Sequence, residues 1–249
     1  MIGKGLPYYV GLFTTIHAVT ASELFHNLSF EAACQKAAHE QKLVFIDFYT
    51  TWCGPCKMLD QTTWKDPSVI RLLREKTFAL KIDAEKEVAL AKRYGIEAYP
   101  TLLLLDPDGK ERDRMVGYRE AKPFIQDFNS ALAGKNAEMR AREAVVKEGE
   151  KSPTVRTKLA RELENQGKYA EAMEEYLWCF DEGLKHDPAF AGVRLSFLLR
   201  DLARLGQRYA PAKKALESRR DSRENELLGG NDNRAGVNEL VRLNQYLGQ

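Results

Sequence analysis

Two cysteines three positions apart, Cys53 and Cys56, carry most of the chemistry this sequence offers. They lie in Trp52-Cys53-Gly54-Pro55-Cys56-Lys57, directly after an apolar run and at the start of a helical pattern. Two thiols at that spacing close a small disulfide ring. Cys53, at the helix N-terminus, sits where the helix dipole and free N–H groups favour a thiolate. Such surroundings lower a cysteine pKa from about 8.5 to roughly 3.5–7.5. Cys56, one turn further in, is shielded and suits a resolving thiol. The matching chemistry is thiol–disulfide exchange through a mixed disulfide. A zinc site needs four ligands, usually from a second cysteine pair or paired histidines. The histidines, His17, His26, His39 and His186, stand at no ligand spacing, so neither a metal nor an organic cofactor is expected. Cys34, on an apolar helix face beside Phe30, and Cys179, between Trp178 and Phe180, read as small buried hydrophobes.

The elements around the pair follow from periodicity. Leu28 to Glu40 reads as an amphipathic helix, with Phe30, Ala33, Cys34 and Ala37 at three- and four-residue intervals. Lys42 to Tyr49 is a continuous β-rich apolar run, the pattern of a central strand buried on both faces. Helices are expected from Gly54 to Trp64 and from Pro67 to Lys76, and a second strand over Phe78–Asp83. A short helix from Val88 to Tyr94 stops at Gly95. A third strand, Thr101 to Leu105, enters the turn Asp106-Pro107-Asp108-Gly109. Arg112–Gly117 is a returning strand, and Pro123–Ala133 a closing helix. Alternating strands and helices make this an α/β layered domain.

Beyond Gly134 no β-rich run occurs, and Ala, Glu, Arg, Lys and Leu dominate. Leu159, Leu163, Gly167, Tyr169, Ala172 and Tyr176 form a series. Leu198, Leu202, Gly206, Tyr209 and Ala212 repeat it about 40 residues later, and a poorer copy (Leu240, Gly248) follows. A helix–Gly–helix unit at that period signals an all-α helical-repeat domain. The series resembles tetratricopeptide repeats, whose usual period is about 34 residues. Asp187-Pro188 comes late for that period, so the second helix or its loop is extended. A helical cap or dimerisation element is an alternative reading. Gly229 to Asn233 reads as a loop.

Ile46-Asp47-Phe48-Tyr49, the Trp52–Lys57 segment, Tyr94-Gly95-Ile96 and Tyr99-Pro100-Thr101 together resemble the thioredoxins, in order and at suitable spacings. The resemblance covers about residues 28–134. It implies an α/β thioredoxin-like domain, a central mixed sheet flanked by helices, over 22–134, followed by the helical domain over 135–249. It further implies that Pro100 follows a cis peptide bond and helps hold a substrate backbone. Asp47 matches the family's buried carboxylate, which assists proton transfer at the resolving cysteine, and Lys81 matches that carboxylate's lysine neighbour. On physical grounds, a carboxylate on an apolar central strand has a raised pKa, which suits a general base. Trp52 is expected at the rim of the site, and Gly54-Pro55 is the thioredoxin pair, which favours a reductant. Two departures stand out. Tyr99 replaces a small aliphatic residue. A longer segment, Gln61 to Pro67, is similar to the C-terminal domain of bacterial thiol:disulfide interchange proteins, which work outside the cytoplasm.

The chain has 249 residues, 38 Lys+Arg against 36 Asp+Glu, and ordinary hydrophobic content. Charge is balanced on either side of Gly134, which gives no preference for nucleic acid or an anionic membrane. Four cysteines are too few for a disulfide scaffold. Residues 1–21 read as a secretory leader cleaved after Ala21, with a loosely packed N-terminal arm as the competing reading. Nothing in the sequence is a good membrane span, so stable insertion of the mature chain is not expected. The function expected is a protein-disulfide reductase acting through Cys53 and Cys56. Its partners would be disulfide-containing clients, an electron-donating reductase and a possible protein bound by the helical repeats. Two alternatives share these residues: an adaptor whose redox pair is a switch, and an oxidase or isomerase of secreted proteins. The expected compartment is periplasmic or otherwise extracytoplasmic, with cytoplasmic as the alternative.

Overall fold

A computed structural model describes residues 24–230 and 234–248. The leader reading over 1–21, and Asn231–Asn233 of the loop, fall outside the described residues. Four strands form one sheet in the order β2-β1-β3-β4: β1 (Leu43–Tyr49), β2 (Thr77–Asp83), β3 (Thr101–Leu105) and β4 (Glu111–Val116). β1 runs parallel to β2 and antiparallel to β3, so the sheet is mixed. The register sets Asp47 beside Lys81 on one side and Leu102 on the other.

Side chains alternate across a strand, and β1 shows why its apolar run is continuous. Val44, Ile46 and Phe48 face a core shared with Phe30, Ala33 and Ala37 of α1 (Phe30–Glu40) and with Ala91 of α4 (Val88–Arg93). Phe45 and Asp47 face the other way, where Trp64 and Phe124 lie. Both faces are covered, so the strand carries no polar alternation. Ser29 caps α1 by accepting from the Ala32 N–H at 3.1 Å. Asp66 caps α3 (Pro67–Lys76) through the N–H groups of Ser68 and Val69. In the turn leading out of β3, Gly109 has φ +83°, a conformation other residues rarely adopt.

The active-site helix differs from expectation. α2 spans Gly54–Gln61 and stops three residues short of Trp64. At Thr62 the backbone leaves helical geometry (φ −123°, ψ −81°), and the Thr62 hydroxyl donates back to the Met58 carbonyl at 2.7 Å. A short 3₁₀ turn, Thr63–Lys65, follows. That break turns Trp64 inward, fully buried.

Contacts divide the chain into two units. One holds the described residues through Lys110 together with Gly117–Ile125; the other holds Glu111–Val116 and the chain from Gln126 onward. α5 (Ala121–Leu132) spans the division. The second unit is helical apart from β4: α6 (Ala137–Glu148), α7 (Pro153–Asn165), α8 (Tyr169–His186), a one-turn α9 (Ala191–Val193), α10 (Leu199–Arg208), α11 (Ala210–Leu228) and α12 (Arg234–Leu247). Asp113 of β4 ties strand to helix by accepting from the Ala137 N–H at 2.7 Å and pairing with Arg140 at 2.9 Å. α7 and α8 pair as expected, with Gly167 (φ +73°) making the turn. The extra length falls in α8, which runs on to His186. Their core includes Leu159, Leu163, Ala172, Tyr176, Phe180, Leu198 and Leu202. Buried Glu164 accepts from the Tyr176 hydroxyl at 2.9 Å and from Arg204 at 2.8 and 2.9 Å, linking α7, α8 and α10.

Gly206 corrects the repeat reading. It lies inside α10, and the turn to α11 falls at Tyr209. A Cβ on Gly206 would sit 3.1 Å from the Lys213 nitrogen and 3.2 Å from its Cα. This glycine therefore permits close helix packing where Gly167 permits a turn, and the two series are not equivalent. Gly206→Leu is expected to cost about 1–3 kcal/mol through overpacking against backbone. Urea unfolding midpoints check this; a variant as stable as wild type would show that α11 gives way freely.

Candidate active site

Strand β1 ends at Tyr49, and the chain enters α2 through Thr50–Trp52. Cys53 is the N-cap residue (φ −70°, ψ 109°), and its sulfur accepts from the Cys56 N–H at 3.1 Å. Pro55 sits in the first turn, where its missing N–H leaves no helical bond unmade. Gly54 has open space where a Cβ would point, so the approach to the pair on that side is unobstructed. Cys53 and Cys56 are joined in a disulfide. Both sulfur-bearing residues are buried, while Lys57 beside them is exposed.

The rim is apolar. Trp52 is 65% exposed, and its indole N–H donates to Glu85 at 2.9 Å. Its ring meets the Tyr99 ring edge-on at 5.8 Å. The Tyr99–Pro100 peptide is cis, as the resemblance implies. The Pro100 carbonyl accepts from the Gly117 N–H at 2.8 Å, which fixes that loop. Trp52, Tyr99 and the cysteine pair thus belong to one surface built from the β1–α2 connection and the segment before β3.

A second cluster, of charged groups, is drawn from β1, β2 and α2. Asp47 is completely buried, and burial pushes its carboxyl up to about 7. Lys81, with Nζ 3.8 Å from Asp47 Oδ2, and the Trp64 indole N–H, donating to the same oxygen at 3.0 Å, pull the other way. Asp60 raises it further. Among the described residues no group donates to Asp47 Oδ1. Lys81 also pairs with Asp60, and its ammonium lies 4.9 Å from the Tyr49 ring centre and 5.8 Å from that of Phe25.

Of the residues singled out from the sequence, Trp52 meets Tyr99 ring to ring, Cys53, Gly54, Pro55 and Cys56 form the start of α2, Asp47 and Lys81 share the charged cluster, and Pro100 is buried after Tyr99. Two members went unread. Asp60 stands four residues after Cys56, the spacing that puts side chains on one helix face. Trp64 lay in the segment noted only for its length. Of the two other cysteines, Cys179 is buried as expected, and burial pushes its thiol up to about 11; Cys34, expected to be buried, is only half-buried, and burial raises its thiol.

Trp64 packs edge-on against Phe25, Phe45 and Phe124 at 5.3–5.8 Å between ring centres. Trp64→Ala is expected to cost about 3–5 kcal/mol. Trp64→Phe keeps most of the packing and loses the bond to Asp47, about 1–3 kcal/mol. Chemical denaturation of the oxidised protein separates the two. Equal losses would mean the indole N–H contributes everything and packing nothing.

A family model described as thioredoxin-like domain matches residues 30–132. A thioredoxin of Chlamydia caviae is 40% identical over 89 residues, 35% of this chain and 80% of that one. The chloroplastic thioredoxin Y of Oryza sativa subsp. japonica is 38% identical over 104 residues, 42% of this chain and 58% of that one. The thiol:disulfide interchange protein DsbD of Pseudomonas fluorescens is 29% identical over 120 residues, 44% of this chain and 20% of that one. The chain spans just over half the length of the plant relatives it matches. Through the domain that carries Cys53 and Cys56, the chain belongs to the thioredoxin-like family.

Proposed function

We propose that the chain is a thiol–disulfide oxidoreductase that reduces protein disulfides. One observation carries the reading: a Cys53–Cys56 disulfide at a helix N-terminus, next to the exposed Trp52 ring. In the reduced protein, the Cys53 thiolate attacks a client disulfide. A Cys53–client bond forms, the client S–S bond breaks, and one client sulfur leaves as thiolate. Cys56 gives its proton to Asp47 and attacks the Cys53 sulfur. The second client thiol is released, two electrons have passed to the client, and Cys53–Cys56 is oxidised. An electron-donating reductase must then return the pair to dithiol.

Trp52 and Tyr99 offer apolar contact area to a client, and the backbone of Tyr99, just before the cis peptide bond, is proposed to pair with an extended segment. The electrically balanced sequence fits protein clients better than nucleic acid. The Gly54-Pro55 pair supports the reducing direction. The direct test is insulin reduction driven by dithiothreitol: acceleration over dithiothreitol alone is expected, and none would overturn the reading. A reduction potential nearer about −270 mV than about −120 mV is expected of a reductant.

The likeness of residues 1–21 to a leader, with the likeness to an interchange protein, supports work outside the cytoplasm. Sequencing the N-terminus of the protein made in cells tests it. A start at Ser22 is expected, and a start at Met1 would overturn export. No helix among the described residues is long and apolar enough to cross a membrane. The helical domain is proposed to hold a protein partner. Deletion of residues 135–249 is expected to leave insulin reduction intact and to reduce activity on the physiological client alone.

A further inference from the structure

The charged cluster contains one group more than the exchange reaction requires. Lys81 has two carboxylates to choose between, and its ammonium lies nearer Asp60 than Asp47. The two acids differ in surroundings: the Asp60 side chain is 45% exposed, whereas Asp47 is inaccessible. Asp60 also shares a helix face with Cys56, being four residues further along α2. Asp60, Lys81 and Asp47 therefore link α2, which carries Cys56, to strands β1 and β2. Lys81 itself is held in place by the rings of Tyr49 and Phe25.

We propose that Asp60 is a positioning residue: by taking the Lys81 ammonium as its own partner, it withholds that charge from Asp47 and sets the pH at which Asp47 trades a proton with Cys56. The inference rests on the oxidoreductase reading for its consequence, but its physical content does not depend on turnover. A lysine given wholly to a buried aspartate stabilises the ionised form and leaves a weak base. Drawn outward to a half-exposed acid, the same lysine neutralises that acid first. Asp47 then keeps its proton to neutral pH, as burial and the Asp60 charge both favour. Around Asp47 stand Lys81 from β2, Asp60 from α2, and the Trp64 N–H from the 3₁₀ turn. Tyr49 of β1 faces the lysine, and its phenol is raised by burial and by Asp83, Asp60 and Asp47.

The test is Asp60→Asn, which keeps an oxygen for Lys81 and removes the charge. Carbon-detected NMR of the oxidised protein reads the Asp47 carboxyl directly. Its titration is expected to move down by on the order of one pH unit. Resolution of a Cys53–client mixed disulfide should shift its pH profile in the same direction. In the Asp47→Asn background, Asp60→Asn should leave that profile where it was. An Asp47 titration unchanged in Asp60→Asn overturns the proposal, as does a profile shift that persists without Asp47. Because the NMR reading needs no catalysis, a chain that failed to reduce insulin would overturn the oxidoreductase reading while this shift still decided the role of Asp60.

Discussion

Cys53→Ser is expected to bring insulin reduction down to the rate of dithiothreitol alone, a loss on the order of 100-fold or more. The reason is protonation. A thiolate is the nucleophile in disulfide exchange, and its share at neutral pH sets the rate. A serine hydroxyl ionises far too weakly to replace it. Cys56→Ser should behave differently although both sulfurs are buried in one disulfide. Cys53 then still sits at the N-cap of α2, still attacks, and still forms the client bond. What is lost is the intramolecular second attack, whose advantage comes from holding the two sulfurs one helical turn apart. Mixed disulfides with clients should accumulate as slower bands on non-reducing gels and collapse under excess dithiothreitol. A single unshifted band from Cys56→Ser, or wild-type rates from Cys53→Ser, would refute the assigned order of attack.

Asp47→Asn is expected to make the oxidised protein more stable at pH 8 by about 4 kcal/mol while slowing resolution of the mixed disulfide on the order of 100-fold. The folded carboxyl holds its proton to about pH 7, against an ordinary value of 3.8. Between those values the folded state carries a proton that the unfolded state has released. Unfolding therefore gives up a proton, and rising pH favours it. Stability falls through the window from about pH 4 to 7, each unit worth about 1.4 kcal/mol, and the penalty is complete above it. Asparagine ionises nowhere, still accepts from Trp64, and removes the slope. Below about pH 4 the two proteins should converge. Urea denaturation from pH 3.5 to 8 measures the difference. A constant gap across that range would mean Asp47 is not the group held protonated by burial.

Most of the catalytic domain was legible in its residues. The continuous run of β1 announced a strand covered on both faces, and the structure covers both, with α1 on one side and Trp64 and Phe124 on the other. The turn at Gly109 and the start of the helix at Pro67 lie where local chemistry puts them, whereas α1 begins at Phe30, after the Ser29 cap, and not at Leu28. Where local signals were ambiguous, tertiary contacts decided. Helical periodicity ran on through Trp64, yet α2 ends at Gln61, because burying the indole against Phe45 and beside Asp47 requires the chain to turn inward. Gly206 matched Gly167 in a one-dimensional series. Its helix is continuous because what it needs is a backbone neighbour at close range, and no sequence pattern displays that neighbour.

The sequence by itself determined the reaction class. Two cysteines at that spacing after a buried strand, with Asp47 six residues before the first, specify thiol chemistry through local geometry: a helix start supplies its own dipole and N–H groups. Only the tertiary structure decided what surrounds Asp47. Asp47, Asp60, Trp64 and Lys81 come from two strands, a helix and a 3₁₀ turn. Which of two acids receives the lysine depends on distance and burial, which arise only when those elements pack.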